Sequence, residues 1–513
     1  MNRTSLIALA AVSALALGTT ACGAGSGGGG GGAAGSGGNE LRIGLSFGPF
    51  TLDPAKDGGG APNVLRSLTN QSLFHMNADY TASPALVSDY KYVGTGNKVF
   101  EFTLKKGIRF TDGTPLNAAA VKTWLEYFAK QPGPYVTSLA IGSVETEGEY
   151  TVRLNLASPS PIVPLLLSQY GNRGALSSPK SVADPASLAK GTYGVGPYVL
   201  DAAQSVVGDH YTLVPSKYYY DPSAVRFKKV TIRIISNPSA MLRAFQAKQI
   251  DFGNLDSSTA PAAEKAGVKV MHWRSGTVAV TLADRNGTVT KPLGDVRVRQ
   301  ALNYAVDRES ITKALVGKYG RPTSQYQTEY TDPALENRYP YDPAKAKALL
   351  AKAGYSKGFS MNVVDPGSII GNWGDPTMQT VAKDWEKIGV HVKVTPATTD
   401  FVQQALSKKF AAFEWTPDTS PTALAYSTLY APKASLNPFG ASNAEIDALY
   451  RQGQTEQGDQ AAKTFTKLNS VVTEQALNVP IYEYHIPWGM NEHITGVKKG
   501  SWVVFGADLG WKG

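Results

Sequence analysis

The chain has one cysteine, Cys22, in 513 residues. No internal disulfide and no CxxC metal or redox pair can therefore hold it together, and whatever folds must do so by burying apolar surface. Residues 23–38, which follow the cysteine, are nearly all glycine, serine and alanine. Such a stretch forms neither a core nor a stable helix and acts as a flexible tether, with a root-mean-square span of about 20 Å. The folded part is thus expected to begin near Asn39. What remains is long enough for two or three domains and has a globular composition, 42 % hydrophobic and 18 % charged.

Ahead of the cysteine, Arg3 precedes the apolar run LIALAAVSALALG, closed by Thr19, Thr20 and Ala21, as in a secretory signal. The run is shorter than the about 20 apolar residues that cross a bilayer. It resembles a bacterial lipoprotein signal, although Thr19 stands where that pattern prefers leucine. The resemblance implies a signal peptide over residues 1–21, cleavage before Cys22, and lipidation of that cysteine. Two or more acyl chains, at about 0.8 kcal/mol per buried methylene, would anchor the protein to the outer face of the cell membrane. The alternative is an ordinary signal peptide with an incidental cysteine. The net charge of +9 does not point to nucleic acid: the pairs Lys105–Lys106, Lys228–Lys229, Lys408–Lys409 and Lys498–Lys499 are dispersed and read as solvated faces.

Along the chain, NELRIGLSF alternates as a strand, and SLTNQSLFHM has helical spacing. VFEFTLKKGIRF reads as a hairpin turning at Lys106–Gly107, and Asn117 as the cap of the helix AAAVKTWLEYFAK. GVGPYVLDAAQ and HYTLVPSKYYY read as paired strands. KKVTIRIIS reads as a strand that leads, through Asn237–Pro238, into a helix closed by Gly253. VKVMHW and GTVAVTLADRN are extended, and one long helix runs from its cap at Asp295 to residue 316. YDPAKAKALLAKAGY is a helix ending at Gly354, while FSMNVVD, MQTVAKDWEKIGV and HVKVTPA make a βαβ unit. NVPIYEYHIPWGMN and GVKKGSWVVFG return to strands. The pattern suggests two α/β lobes, the chain leaving the first near residues 275–286 and returning near 480–488, so that two extended strands form a hinge.

A search for catalytic parts returns little. There is no HExxH, no phosphate-binding loop and no dinucleotide fingerprint. The six histidines lie far apart in sequence, and neither a metal nor a cofactor is expected. Ser187 with Lys190 and Ser310 with Lys313 both fit SxxK, the nucleophile motif of penicillin-binding enzymes, which leaves a lipid-anchored serine hydrolase as the rival reading. The KTG element that should follow is missing, and Ser310 falls inside an amphipathic helix. Aromatic residues are plentiful, 25 tyrosines and 8 tryptophans. Trp373 in GNWGDP and Trp415 in FEWTPD sit in loop-like contexts that suit either a local anchor or the wall of a ligand cleft.

From VFEFTLKKGIRFTDGTPLNAAAVKTWLEYF onwards the chain resembles the family 5 extracellular solute-binding proteins, the dipeptide, oligopeptide and nickel receptors of ABC importers. GVGPYVL, DVRVRQALNYAVDRESITKAL, YPYDPAKAKALLAKAGY and VPIYEYHIPWGMNEHITGVK follow in the right order and cover nearly the whole mature chain. The resemblance implies an α/β, two-lobed periplasmic-binding-protein fold, type II and cluster C-like, with an extra subdomain in the first lobe and a two-strand hinge. Lobe I would be residues 39–282 plus 480–513, with the subdomain near 61–179, and lobe II residues 283–479. A monomer would collect a small solute, a peptide by analogy, and deliver it to a membrane permease. Peptide-binding members carry a Trp-x-x-Asp element whose aspartate pairs with the ligand ammonium, and Trp415 with Asp418 keeps that spacing. Two departures stand beside it: the aspartate is followed by TSPTA, and Ala412 occupies the place of an arginine found in some oligopeptide receptors. The expected ligand contacts are Asp418, Trp415 and Trp373 from the second lobe, with Phe47, Asn63 and Tyr193 from the first. A nickel chelate, a sugar or a siderophore-like solute is the alternative ligand.

Overall fold

A computed structural model describes residues 39–512 apart from 59–62, 78–79, 134–137, 328, 367–373, 398–400, 416–420 and 499–505. Among the described residues an eleven-stranded sheet runs through the molecule. Its order is Val390–Pro396, Phe359–Asp365, Ala412–Trp415, Lys269–Leu282, Asn478–Met490, Phe252–Asn254, Glu40–Leu45, Lys229–Ile234, His210–Pro215 and Tyr198–Leu200, with Gly320–Pro322 added beside Asn478–Met490.

The two longest strands, Lys269–Leu282 and Asn478–Met490, pair antiparallel from Lys269 opposite Met490 to Thr281 opposite Asn478. They form a seam that belongs to two different cores. Trp273, Trp488 and Met490 pack with Leu41, Ile43, Val230 and Ile232 in one half, whereas Val278, Val280, Ile481 and Tyr482 pack with Leu302 and Trp385 in the other. The changeover lies between Trp273 and Val278. The register slips there, with Ser275 unpaired between Arg274 and Gly276, and a bulge of this kind bends a strand and increases its twist.

A third body has its own core around Phe100, Phe102, Trp124 and Phe128. It holds a four-stranded antiparallel sheet in the order Val87–Tyr92, Val99–Leu104, Thr151–Leu156, Ile141–Glu147. The helix Ala118–Ala129 lies against this sheet, and the Asn117 side chain accepts from Ala120 N, as expected of the cap.

Several local expectations are corrected. Val99–Leu104 does not pair with residues 108–110; those fold back on 114–116, Phe110 N bonding Thr114 O and Leu116 N bonding Ile108 O, each at 2.9 Å. The helix expected at residues 67–76 stops at Thr69, and Phe74–Met76 is a short strand beside Ala82–Pro84. The helix after Asn237 ends at Gln246. Gly253 does not close it but lies within a central strand, where a Cβ would stand 2.5 Å from Gly44 O. The two extended stretches of residues 268–286 are one continuous strand. Gly496 has φ +82, so the expected strand does not begin there, and residues 499–505 lie outside the described residues. The βαβ unit forms as read, with Phe359–Asp365 parallel to Val390–Pro396.

The long helix expected from Asp295 is two, Val296–Tyr304 and Arg308–Leu315, the second capped by Asp307. The break aims Arg308 inward. Its guanidinium donates to Thr323 O, Pro480 O, Asn303 O, Tyr339 O and Asn303 Oδ1 at 2.7–3.1 Å, and burial pulls its pKa down to about 10. Through Pro480 this side chain stitches the helix layer to a seam strand. Arg308→Lys keeps a charge but cannot reach five acceptors, so we expect a loss of about 2–4 kcal/mol in urea unfolding. The exposed neighbour Ser310→Ala should stay within about 0.5 kcal/mol of the wild type.

Candidate functional site

Strand direction locates the site. Glu40–Leu45 runs parallel to Lys229–Ile234 and to Phe252–Asn254. The last of these runs antiparallel to Asn478–Met490, from Phe252 opposite Met490 to Asn254 opposite Trp488, so all three end towards the middle of the seam. In the other half Phe359–Asp365, Val390–Pro396 and Ala412–Trp415 are parallel. Ala412 lies opposite Leu282 and Trp415 opposite Ala279, so this set also ends towards the middle of the seam, from the other side. Open α/β sheets take their ligands at the carboxyl ends of their strands. Here two such sets of ends are directed at one stretch, Trp273 to Val278 against Tyr482 to Ile486.

On the first side the strand Glu40–Leu45 runs into a loop whose base is pinned. Ser46 N donates to Asn254 Oδ1 at 2.9 Å, and Asn254 Nδ2 to Ser46 Oγ at 2.8 Å. Further on, Phe50 N donates to Asp57, which is fully buried and ion-paired with Arg66. Tyr127 Oη donates to buried Asp53 at 2.6 Å. Above these anchors Phe47 is 46 % and Phe50 83 % exposed. Two aromatic rings held in water on an immobilised loop are a surface prepared for contact. Of the other expected first-lobe residues, Tyr193 packs half-buried against the third body's core. Asn63 opens the helix Asn63–Thr69, with its side chain outside the described residues.

On the second side Trp415 ends its strand half-buried, its ring stacked on Phe401 at 5.7 Å and 7°. Trp373 and Asp418 lie outside the described residues. Their segments are framed by described ones: residues 367–373 join Asp365 to the helix Gly374–Glu386, which is tied to the seam by Thr377 Oγ1 and Tyr482 Oη at 3.0 Å. Residues 416–420 run on directly from Trp415.

The middle of the seam carries charge that the sequence reading did not single out. Glu483 is nearly buried and accepts from Arg321 Nε at 3.1 Å and Nη2 at 2.9 Å, with Arg274 Nη1 at 3.5 Å. Burial opposes its ionisation, but the neighbouring His485, the hydrogen bonds from Arg321 and the charges of both arginines outweigh that and hold its pKa at about 2. From the third body the hairpin joining Phe74–Met76 to Ala82–Pro84 brings Tyr80, in a left-handed conformation at φ +65, over the Arg274 guanidinium at 5.9 Å. The only signal in the sequence was a charge in the middle of each apolar strand, Arg274 and Glu483, which is costly unless the two meet.

Beyond residues 416–420, Thr422 is held by Glu329, whose carboxylate accepts from Thr422 N at 3.1 Å, while its backbone carbonyl accepts from Asn469 Nδ2 at 2.9 Å. Burial raises the Glu329 pKa to about 7, against the opposing hydrogen bonds from Thr422 and Tyr330. Among the described residues no group of three or more His, Cys, Asp or Glu side chains is placed to hold a metal ion. Ser187 Oγ donates to Asp184 O at 2.7 Å, and Ser310 is exposed in the first turn of its helix. A depression of about 720 Å³ lies on the flank of the helix Gly458–Glu474, between Asp332, Glu445 and Lys467, and touches none of the seam residues.

Comparison with known proteins agrees with this geometry. Residues 81–437 match the model of the bacterial extracellular solute-binding proteins, family 5. A curated relative, the probable D,D-dipeptide-binding periplasmic protein DdpA of Escherichia coli K12, is 24 % identical over 483 residues, covering 89 % of this chain and 90 % of that protein. AgaA of A. tumefaciens R10, solved with agropinic acid, superposes with a TM-score of 0.76 at 21 % identity, covering 93 % of this chain and 99 % of its own. DppA of Helicobacter pylori, solved with the peptide STSA, gives 0.75 at 19 % identity, covering 93 % and 98 %. These likenesses establish the periplasmic-binding-protein fold.

The raised pKa of Glu329 sets a direction for pH dependence. The folded chain holds a proton that the unfolded chain releases near the ordinary carboxyl pKa, so the group's contribution is complete in acid and is lost as pH rises through about 7. Glu329→Gln keeps the acceptor for Thr422 N without the charge. It should be more stable than the wild type at pH 8 by about 1–2 kcal/mol and show no gain at pH 4, measured by urea unfolding at both values.

Proposed function

The chain belongs to the bacterial extracellular solute-binding proteins of family 5, and from that premise we propose that it is the receptor of an ABC importer for a peptide or peptide-like solute. The observation that carries this reading is the pair of parallel-strand sets whose carboxyl ends converge on one stretch of the seam from its two sides. A solute bound there touches both halves at once. Contacts that exist together only in the closed arrangement shift the population towards closure, and the permease reads the closed shape. A micromolar ligand supplies about 8 kcal/mol, enough to move a hinge equilibrium of a few kcal/mol.

In this reading lobe I is residues 39–282 with 480–513, including the subdomain near 61–179, and lobe II is residues 283–479. Phe47 and Trp415 are the aromatic walls, and Trp373 joins them from the segment before the helix Gly374–Glu386. Asp418 takes the ligand ammonium: burying that charge costs several kcal/mol unless a carboxylate replaces its water. Ala412 leaves the ligand carboxylate without an arginine at that point. Asn63 and Tyr193 complete the first-lobe side. Catalysis has no part in the scheme. Cys22 carries the lipid that holds a monomer to the membrane, and residues 23–38 let the body reorient over the permease. Of the relatives named above, one is a probable D,D-dipeptide-binding protein and one was solved with the peptide STSA, which supports a peptide or peptide-like solute.

Native mass spectrometry of the purified protein should reveal a retained solute of that class. Calorimetry with that solute should then show Asp418→Asn weakening the free-amine form by about tenfold or more, but its N-acetylated form little. Equal effects on both forms would remove Asp418 from its role. Turnover of the solute by the purified protein would remove the receptor reading itself.

A further inference from the structure

The third body touches the second half at a point far along the chain from the seam. The turn between Val87–Tyr92 and Val99–Leu104 is closed by Val93 N donating to Val99 O at 2.9 Å, and Asn97 within it is left-handed at φ +52. Asparagine tolerates that conformation better than most residues. Here it turns the side chain away from its own hairpin and towards the junction of two helices, Ala444–Thr455 and Gly458–Glu474.

Asn97 Nδ2 donates to Gln454 O and to Glu456 O, each at 2.9 Å, and Gln457 Nε2 donates to Asn97 Oδ1 at 2.6 Å. The amide can face only one way, since backbone carbonyls accept and never donate. A helix leaves its last carbonyls without partners inside itself, and here two carbonyls at a helix end are satisfied by a side chain from another body. Although Asn97 sits on a hairpin turn it is 2 % exposed. Its own backbone stays with the third body, its carbonyl accepting from Ser160 N at 3.1 Å. Nearby, Ile162 packs against both the third body's core and that of the second half.

We propose that Asn97 is a closure clasp: by capping the helix junction at residues 454–457 it holds the third body against the second half, and so sets how tightly solute is retained without touching the solute. The inference rests on the receptor reading, because it needs two halves that open and close. When the halves part, the amide and the carbonyls exchange one another for water, so the clasp favours the closed arrangement by the difference between those two sets of bonds. The seam provides the axis, and the clasp provides the catch.

The test uses the full chain with Cys22→Ser and spin labels on Asp89→Cys and Asp459→Cys, both exposed and on opposite sides of the clasp. Double electron–electron resonance on the purified protein reads the clasped and parted distances directly. Asn97→Asp keeps the shape but turns an acceptor towards two carbonyls, and the clasped population should fall by about fivefold or more. Gln457→Ala, which removes one bond at the surface of the junction, should lower it less. A wild type with no population at the clasped distance, or variants that keep the wild-type distribution, would overturn the clasp. The receptor reading stands or falls separately, on the retained solute.

Discussion

The antiparallel pairing of Lys269–Leu282 with Asn478–Met490 is the constraint on which everything else in this molecule hangs. Each strand spends one end in one core and the other end in a second, so the backbone hydrogen bonds between them are shared property. Neither half could give them up without leaving buried donors and acceptors unpaired. What the two strands can do is twist, and the slips at Ser275 and Ile481 place that freedom where the two cores meet, with Ile486 packed against both. The same register turns two sets of parallel strands towards that stretch. The stretch between the two cores is therefore also the floor towards which both sets of strand ends are directed.

Charge is distributed to suit this. In the second half three buried arginines, Arg285, Arg299 and Arg308, bond backbone carbonyls, and burial pulls each of their pKa values down to about 10. They act as multi-pronged fasteners between loops and helices, a task for which the planar guanidinium is better suited than an ammonium. At the seam the arginines are instead set against Glu483, which keeps the floor polar without leaving a buried charge unmatched. The Asp57–Arg66 pair under the Phe50 loop repeats the pattern on the first side.

How much of this could be read from the sequence depends on the range of the interaction. Caps were legible, because Asn117 and Asp295 bond amides three and two residues away. So was the βαβ unit, where alternation and helical spacing follow each other in order. The break between Tyr304 and Arg308 was not: apolar spacing continues across it, and it is explained by the carbonyls of Thr323, Tyr339 and Pro480, further along the chain, which Arg308 reaches together with Asn303. Gly253 looked like a helix stop because glycine often is one, yet its reason is the Gly44 carbonyl, some two hundred positions earlier in the chain. The aromatic candidates Phe47 and Trp415 were named from a loop-like context, and Trp415 instead closes the strand Ala412–Trp415. Arg274, Glu483 and Tyr80 were missed because their meaning lies in one another and in a contact between bodies.

The chain order of the sheet has a consequence for biogenesis. Phe252–Asn254, in the first half, has the strand Asn478–Met490 as its outer neighbour, and that strand lies more than two hundred residues further along the chain. A polypeptide growing from its amino terminus must hold an apolar sheet with one bare edge until those residues arrive. Closure of the first half's sheet therefore waits on a partner supplied from far along the chain, so that this half is completed only together with the seam.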